Sequence, residues 1–157
     1  MPRIDIDALP WSGGTGYPRP FRDRIGSRLR KRLGNAGGLD QFGVNLTRLA
    51  PGAQSALRHW HENEDEFVYV LEGRLVLIED AGETPLAPGE AAAFKAGVAN
   101  GHHLVNRSAR DALYLEIGTR ADSERAHYPD DDLAAIKQDS DFRFTHSDGT
   151  PYEGEDN

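Results

Sequence analysis

Cysteine is missing altogether from these 157 residues, which excludes disulfide bonds and thiolate metal ligands. No apolar run approaches the roughly 18 residues that a membrane-spanning helix needs, and no N-terminal stretch carries the apolar core of a secretory signal. The expectation is a cytoplasmic protein without a membrane partner. Positive charge is in deficit. Against 26 Asp and Glu stand 18 Lys and Arg, and the formal charge of −8 argues against general affinity for nucleic acid or anionic lipid. Long helical patterning is scarce as well. With 17 Gly and 9 Pro, short strands joined by many turns are expected, in one domain with room for a single sizeable core.

Three zones divide the chain. Residues 1–37 form an Arg-rich leader in which Gly13, Gly14, Gly16, Pro18 and Pro20 forbid a long regular element. Within it, residues 19–32 carry seven basic groups and one acid, a stretch expected to lie on an acidic surface or in solvent. Residues 38–120 hold the strand-like patterning. Phe42, Val44 and Leu46 alternate with Gly43, Asn45 and Thr47 up to Pro51-Gly52, and the runs Phe67–Leu71 and Leu75–Ile78 flank Glu72-Gly73-Arg74, which reads as a tight hairpin. Further turns fall at Asp80-Ala81-Gly82 and Pro88-Gly89. Residues 121–157 form an acidic extension, where Asp130-Asp131-Asp132 predicts a cap for one short helix through Leu133 and Ile136, followed by loop.

Four of the six histidines fall in two short clusters, His59-Trp60-His61 and His102-His103. On a strand, residues i and i+2 share a face, so His59 and His61 converge while Trp60 points away. The polar link Glu62–Asp65 is long enough to reverse the chain and bring Glu66 beside them. Adjacent strand residues alternate, so only one of His102 and His103 faces inward to complete the set. Three neutral imidazoles and one carboxylate suit a divalent transition metal ion that keeps positions open for a ligand. His127 and His146 read as ordinary surface histidines. Tyr69, Tyr114 and Glu116 are candidates for polar groups of the pocket, with Val68, Val70, Phe94 and Leu104 as apolar lining.

The order Gly52, His59, His61, Glu66, Gly73 resembles the first motif of the cupin superfamily, G-x5-H-x-H-x3,4-E-x6-G, with one residue more between Gly52 and His59. Gly89, Gly97 and Asn106 resemble the second motif, although Lys95 stands where proline is usual and two extra residues precede the histidine. Counting back from Asn106 selects His102, with His103 as the alternative. The stretch Glu64–Gly73, with Tyr128-Pro129 further on, is similar to a group of small bacterial cupins that are sometimes labelled sugar-phosphate isomerase-like. The resemblance implies an all-β fold: a single jelly-roll-like cupin barrel (a double-stranded β-helix) with an irregular leader and a C-terminal tail. It implies one iron, manganese, nickel or zinc ion per chain, held by His59, His61, Glu66 and His102, and a homodimer that covers its sheet edges. Two function classes follow. One is a metalloenzyme of isomerase, dioxygenase or lyase type on a small oxygen-bearing substrate, with Glu66 as ligand and proton acceptor. The other is a non-catalytic module that binds a small molecule, or a barrel whose ion is structural.

Overall fold

The alternating run that starts at Phe42 pairs on both sides, and this places the leader inside the architecture. The computed structural model describes residues 2–153; the last four residues of the acidic extension lie outside the described residues. In chain order the elements are α1 (Arg19–Arg22), β1 (Arg28–Arg32), α2 (Leu33–Ala36), β2 (Phe42–Leu49), β3 (Trp60–His61), β4 (Glu66–Glu72) and β5 (Leu75–Glu79). There follow β6 (Gly82–Leu86), β7 (Ala91–Phe94), β8 (His103–Val105), β9 (Ala112–Thr119), β10 (Ser123–His127), β11 (Ala134–Gln138) and β12 (Asp141–Thr145). The fold is all-β and every strand pair described is antiparallel.

One sheet has the order β1-β2-β9-β4-β7, another β12-β11-β10-β3, and a third β6-β5-β8. A bridge between His59 and His102 joins the last two into one layer. The layers meet over a core of Leu49, Val68, Val70, Leu75, Leu77, Leu86, Leu104 and Tyr114. A second cluster closes the other end with Tyr17 and Ile25 from the leader, Leu57, and Ala126, Tyr128, Leu133 and Ala135 from the tail. Apolar burial of this kind, at about 25 cal/mol per Å² removed from water, drives the two layers together. No helix among the described residues is long and apolar enough to cross a membrane.

The register fixes which residues look inward. Arg28 pairs with Leu49, Arg30 with Thr47 and Arg32 with Asn45. Those positions pair in turn with Ala112, Tyr114 and Glu116, which lie beside Val70 and Val68 on β4. Directly paired residues project to the same side of a sheet. The arginines of β1 therefore stand on the face that carries Glu66.

Three expectations need correction. Glu72-Gly73-Arg74 is not a hairpin, because β4 pairs with β7 and β9 whereas β5 pairs with β6 and β8. Gly73 instead carries the chain from one layer to the other, at φ +77° and with the Asp111 carbonyl 2.7 Å from where a Cβ would stand. Among the described residues no helix follows Asp130–Asp132. Residues 134–138 are strand β11, with β10 on one side and β12 on the other, and tertiary pairing overrides the local helix signal. Asp130 and Asp131 pair with Arg58 and Arg24. The segment beyond, expected as loop, includes β12.

Candidate metal centre

The site begins with two backbone devices. His59 bridges to His102 through reciprocal main-chain hydrogen bonds, His59 N to His102 O at 3.2 Å and His102 N to His59 O at 2.9 Å. This locks two histidines from distant parts of the chain side by side. Glu66 opens β4 and lies opposite Phe94 of β7, whose ring stacks flat on the His102 imidazole at 3.6 Å between centroids.

Three imidazole Nε2 atoms surround the Glu66 carboxylate: His102 at 2.7 Å and His59 at 3.7 Å from Oε2, and His61 at 3.4 Å from Oε1. Ligand atoms of His59, His61 and Glu66 all lie within 4.8 Å of one another, with His102 joined through its contact with Glu66. His59 Nδ1 lies 2.8 Å from the Leu57 carbonyl, an acceptor only, so Nδ1 donates to it and Nε2 faces the cluster. His61 Nδ1 is buried without a hydrogen bond, 3.8 Å from Glu124 and 3.9 Å from Glu64. Burial alone would push the His61 pKa down, but the contacts with Glu124 and Glu66 outweigh it and raise it to about 10. Burial likewise works to raise the Glu66 pKa, yet the three histidines hold it well below the usual carboxylate range. The cluster thus favours positive charge where the imidazoles meet the carboxylate. A divalent cation supplies that charge without a proton, and the donor set suits one.

The cluster opens on a cavity of about 690 Å³. The cupin domain family model (Cupin_2) matches residues 45–118. A crystal structure of a sugar phosphate isomerase from the cupin superfamily of Silicibacter pomeroyi is 48% identical, with 98% of each chain covered and a TM-score of 0.93. The chain belongs to the cupin superfamily. A candidate sugar phosphate isomerase from Acidithiobacillus ferrooxidans is 27% identical over 92% of this cupin and 91% of that chain, with a TM-score of 0.76. The polyketide cyclase RemF from Streptomyces resistomycificus, 22% identical over 76% of this cupin and 79% of its own chain, shares the fold with a TM-score of 0.63. A search of curated proteins found no match.

Within this cupin the histidine alternatives separate cleanly. His103 turns away from the cluster and binds the Ala56 carbonyl at 2.8 Å through Nδ1. His127 stacks on Trp60 and pairs with Glu62, and His146 pairs with Asp132. Of the pocket candidates, Tyr114 and Glu116 line the cavity, as do Val68, Phe94 and Leu104. Tyr69 is exposed on the outer face, and Val70 is in the core. Lys95 pairs with Asp65 at the surface, its side chain 73% exposed. Asn106 is a buried brace for the chain, donating to the Leu49 and Arg110 carbonyls and accepting from Ser108.

Sequence reasoning missed several cavity residues. Arg28, Arg30 and Arg32 enter from β1 of the leader, Tyr17 from the part of the leader before β1, and Glu124 and Tyr128 from the tail. Arg28-x-Arg30-x-Arg32 does alternate as a strand does, which distinguishes it from a solvated arm. Nothing local signals Glu124, which accepts hydrogen bonds from the Glu62 and Asn63 amides and so braces the turn between His61 and Glu66.

Proposed function

We propose that this cupin is a metal-dependent isomerase of a small hydroxy-carbonyl substrate of the sugar-phosphate type, with His59, His61, His102 and Glu66 as the ligands of one divalent ion. The observation that carries the reading is the convergence of three Nε2 atoms on a half-buried carboxylate in the wall of a cavity of about 690 Å³. Its 48% identity to the Silicibacter pomeroyi isomerase supports the reaction class. His59, His61, His102 and Glu66 would hold the ion, which would supply Lewis acidity toward a carbonyl oxygen of the substrate.

The chain's own groups do the rest. The Leu57 carbonyl and the Phe94 ring hold His59 and His102 in fixed orientations, so the donors are arranged before a ligand arrives. Glu66 is assigned the proton-acceptor role, as the carboxylate closest to all three imidazoles. Tyr128 packs against His59 with its ring tilted by 31°, at 5.6 Å between ring centroids, and helps to keep bulk water from the cluster. Glu116 is unsuited to proton transfer, being occupied by Arg30, Asn45 and Tyr114.

The test combines elemental analysis of protein purified without chelator with an assay of aldose–ketose phosphate interconversion. About one equivalent of metal per chain is expected, with turnover that stops on chelation and returns with a single metal. Saturable sugar-phosphate binding without interconversion would replace the isomerase with a binding module. No metal after attempted reconstitution would remove the site assignment.

A further inference from the structure

We propose that Arg28, with Arg30 beside it, forms an oxyanion subsite on the cavity wall that takes the phosphate or carboxylate group of the ligand. The inference relies on the isomerase reading only for the other end of that ligand, the hydroxyl and carbonyl oxygens near the histidines.

Arg28 opens β1 and is 8% exposed, yet it lines the cavity. Among the described residues its hydrogen bonds go only to main-chain oxygens, Nη1 to Ser55 and Nη2 to Gly14, the second at 3.4 Å. No carboxylate among the described residues pairs with it, and its Nε–H makes no hydrogen bond there. Arg30, two residues along the same strand face, is neutralised by Glu116, with Nε 2.5 Å from Oε1. That carboxylate is also held by Asn45 Nδ2 at 3.1 Å and the Tyr114 hydroxyl at 3.3 Å. Two guanidinium groups thus stand beside one carboxylate, which is paired with Arg30, and this part of the wall carries an excess positive charge.

The excess has no remedy among the described residues. Burial and the neighbouring Arg30 charge both lower the Arg28 pKa, but an arginine does not give up its proton in a protein. Leaving a cation buried without a counter-ion is strongly unfavourable, so a bound anion completes the arrangement. The guanidinium also has the right shape. Its planar fork presents parallel N–H donors to a phosphate or carboxylate, and those of Arg28 not taken by Ser55 and Gly14 are free to do so.

The competing account is structural: Arg28 ties the Ser55 loop and the Gly14 turn to the barrel. That role predicts a lower melting temperature on substitution but no change in the response to anions. The experiment therefore measures binding of inorganic phosphate and, separately, acetate by calorimetry, against chloride at matched ionic strength. It uses the protein as purified and again after chelation, so that binding at the histidine cluster is told apart. Wild type is expected to bind one of the two anions saturably, before and after chelation. Arg28→Met, similar in length but without charge or donors, should keep its metal content and weaken that binding by about 10- to 100-fold, the range of a lost charge-assisted pair. Arg28→Lys, which keeps the charge without the fork, serves if the methionine variant does not fold, and should fall between them. Phosphate binding names a phosphate ester as the ligand's anionic group, and acetate binding a carboxylate. The proposal is overturned if wild type binds neither anion, or if the Arg28 variants bind as wild type does. Arg28-dependent binding in a protein that interconverts no sugar phosphate would refute the isomerase reading alone.

Discussion

Alanine at Gly73 should destabilise this cupin by about 2–5 kcal/mol, and alanine at Gly52 by only about 1–2 kcal/mol, although both glycines belong to the same motif. Both have positive φ, +77° and +82°, so a Cβ costs each position the left-handed penalty of about 1–2 kcal/mol. The surroundings differ. Around Gly52 nothing lies within 4 Å of the new methyl group, whereas at Gly73 it meets the Asp111 carbonyl oxygen at 2.7 Å and Ala112 Cα at 2.9 Å. Those neighbours are backbone atoms at the start of β9, a strand paired on both sides, so they cannot swing away as a side-chain tip does. Forcing such a contact costs a further 1–3 kcal/mol or so. At about 2–4 °C per kcal/mol for a domain of this size, the melting temperature should fall by roughly 4–20 °C for Gly73→Ala and 2–8 °C for Gly52→Ala. Urea unfolding at matched metal content measures both. Equal losses would refute the reasoning, since they would mean that β9 gives way and the close approach is not what requires glycine.

The ligand assignment predicts that His59→Ala, His61→Ala, His102→Ala and Glu66→Gln each weaken metal binding at least about tenfold, read as metal per chain, since loss of mere supporting groups already costs that much. His103→Ala, His127→Ala and His146→Ala should leave it unchanged, and full occupancy in His61→Ala would sink the assignment. In chelated protein, His61 with its pKa raised to about 10 stabilises the fold fully below its ordinary value near 6.5 and loses that contribution as pH rises through about 10. The urea midpoint of chelated protein should therefore fall between pH 7 and 10, and fall less with metal bound; a flat profile without metal would contradict the His61 contacts. Phe67, Tyr69 and Leu71 project from β4, each somewhat over a third exposed, with exposed Phe42 on the same sheet. A homodimer covering this face should appear in light scattering, and Phe67→Glu with Tyr69→Glu should yield monomers. Monomeric wild type at micromolar concentration would rule the dimer out.

The strands around Phe42, Phe67, Leu75 and Leu113 and the turns at Gly82 and Gly89 were readable from the chain alone, because alternation and turn chemistry are local properties. The relative placement of His59, His61 and Glu66 was readable for the same reason: strand parity and a short link determine which side chains meet. His102 over His103 needed only parity and one anchor residue. What the chain did not disclose was which strand pairs with which. The Gly73 turn reads as a hairpin until β9 and β8 are seen to take the neighbouring positions, and residues 134–138 read as helix until β10 and β12 flank them. Arg30 meets Glu116 across 86 residues, and Glu124 reaches the His61–Glu66 turn from the tail. Such meetings depend on long-range pairings whose free energy comes from burying two whole faces against each other. The sequence by itself determined the cupin motif and the all-β class. Only the tertiary structure decided that Arg28 and Arg30 of the basic leader face inward, leaving Arg28 as a buried cation in the cavity wall.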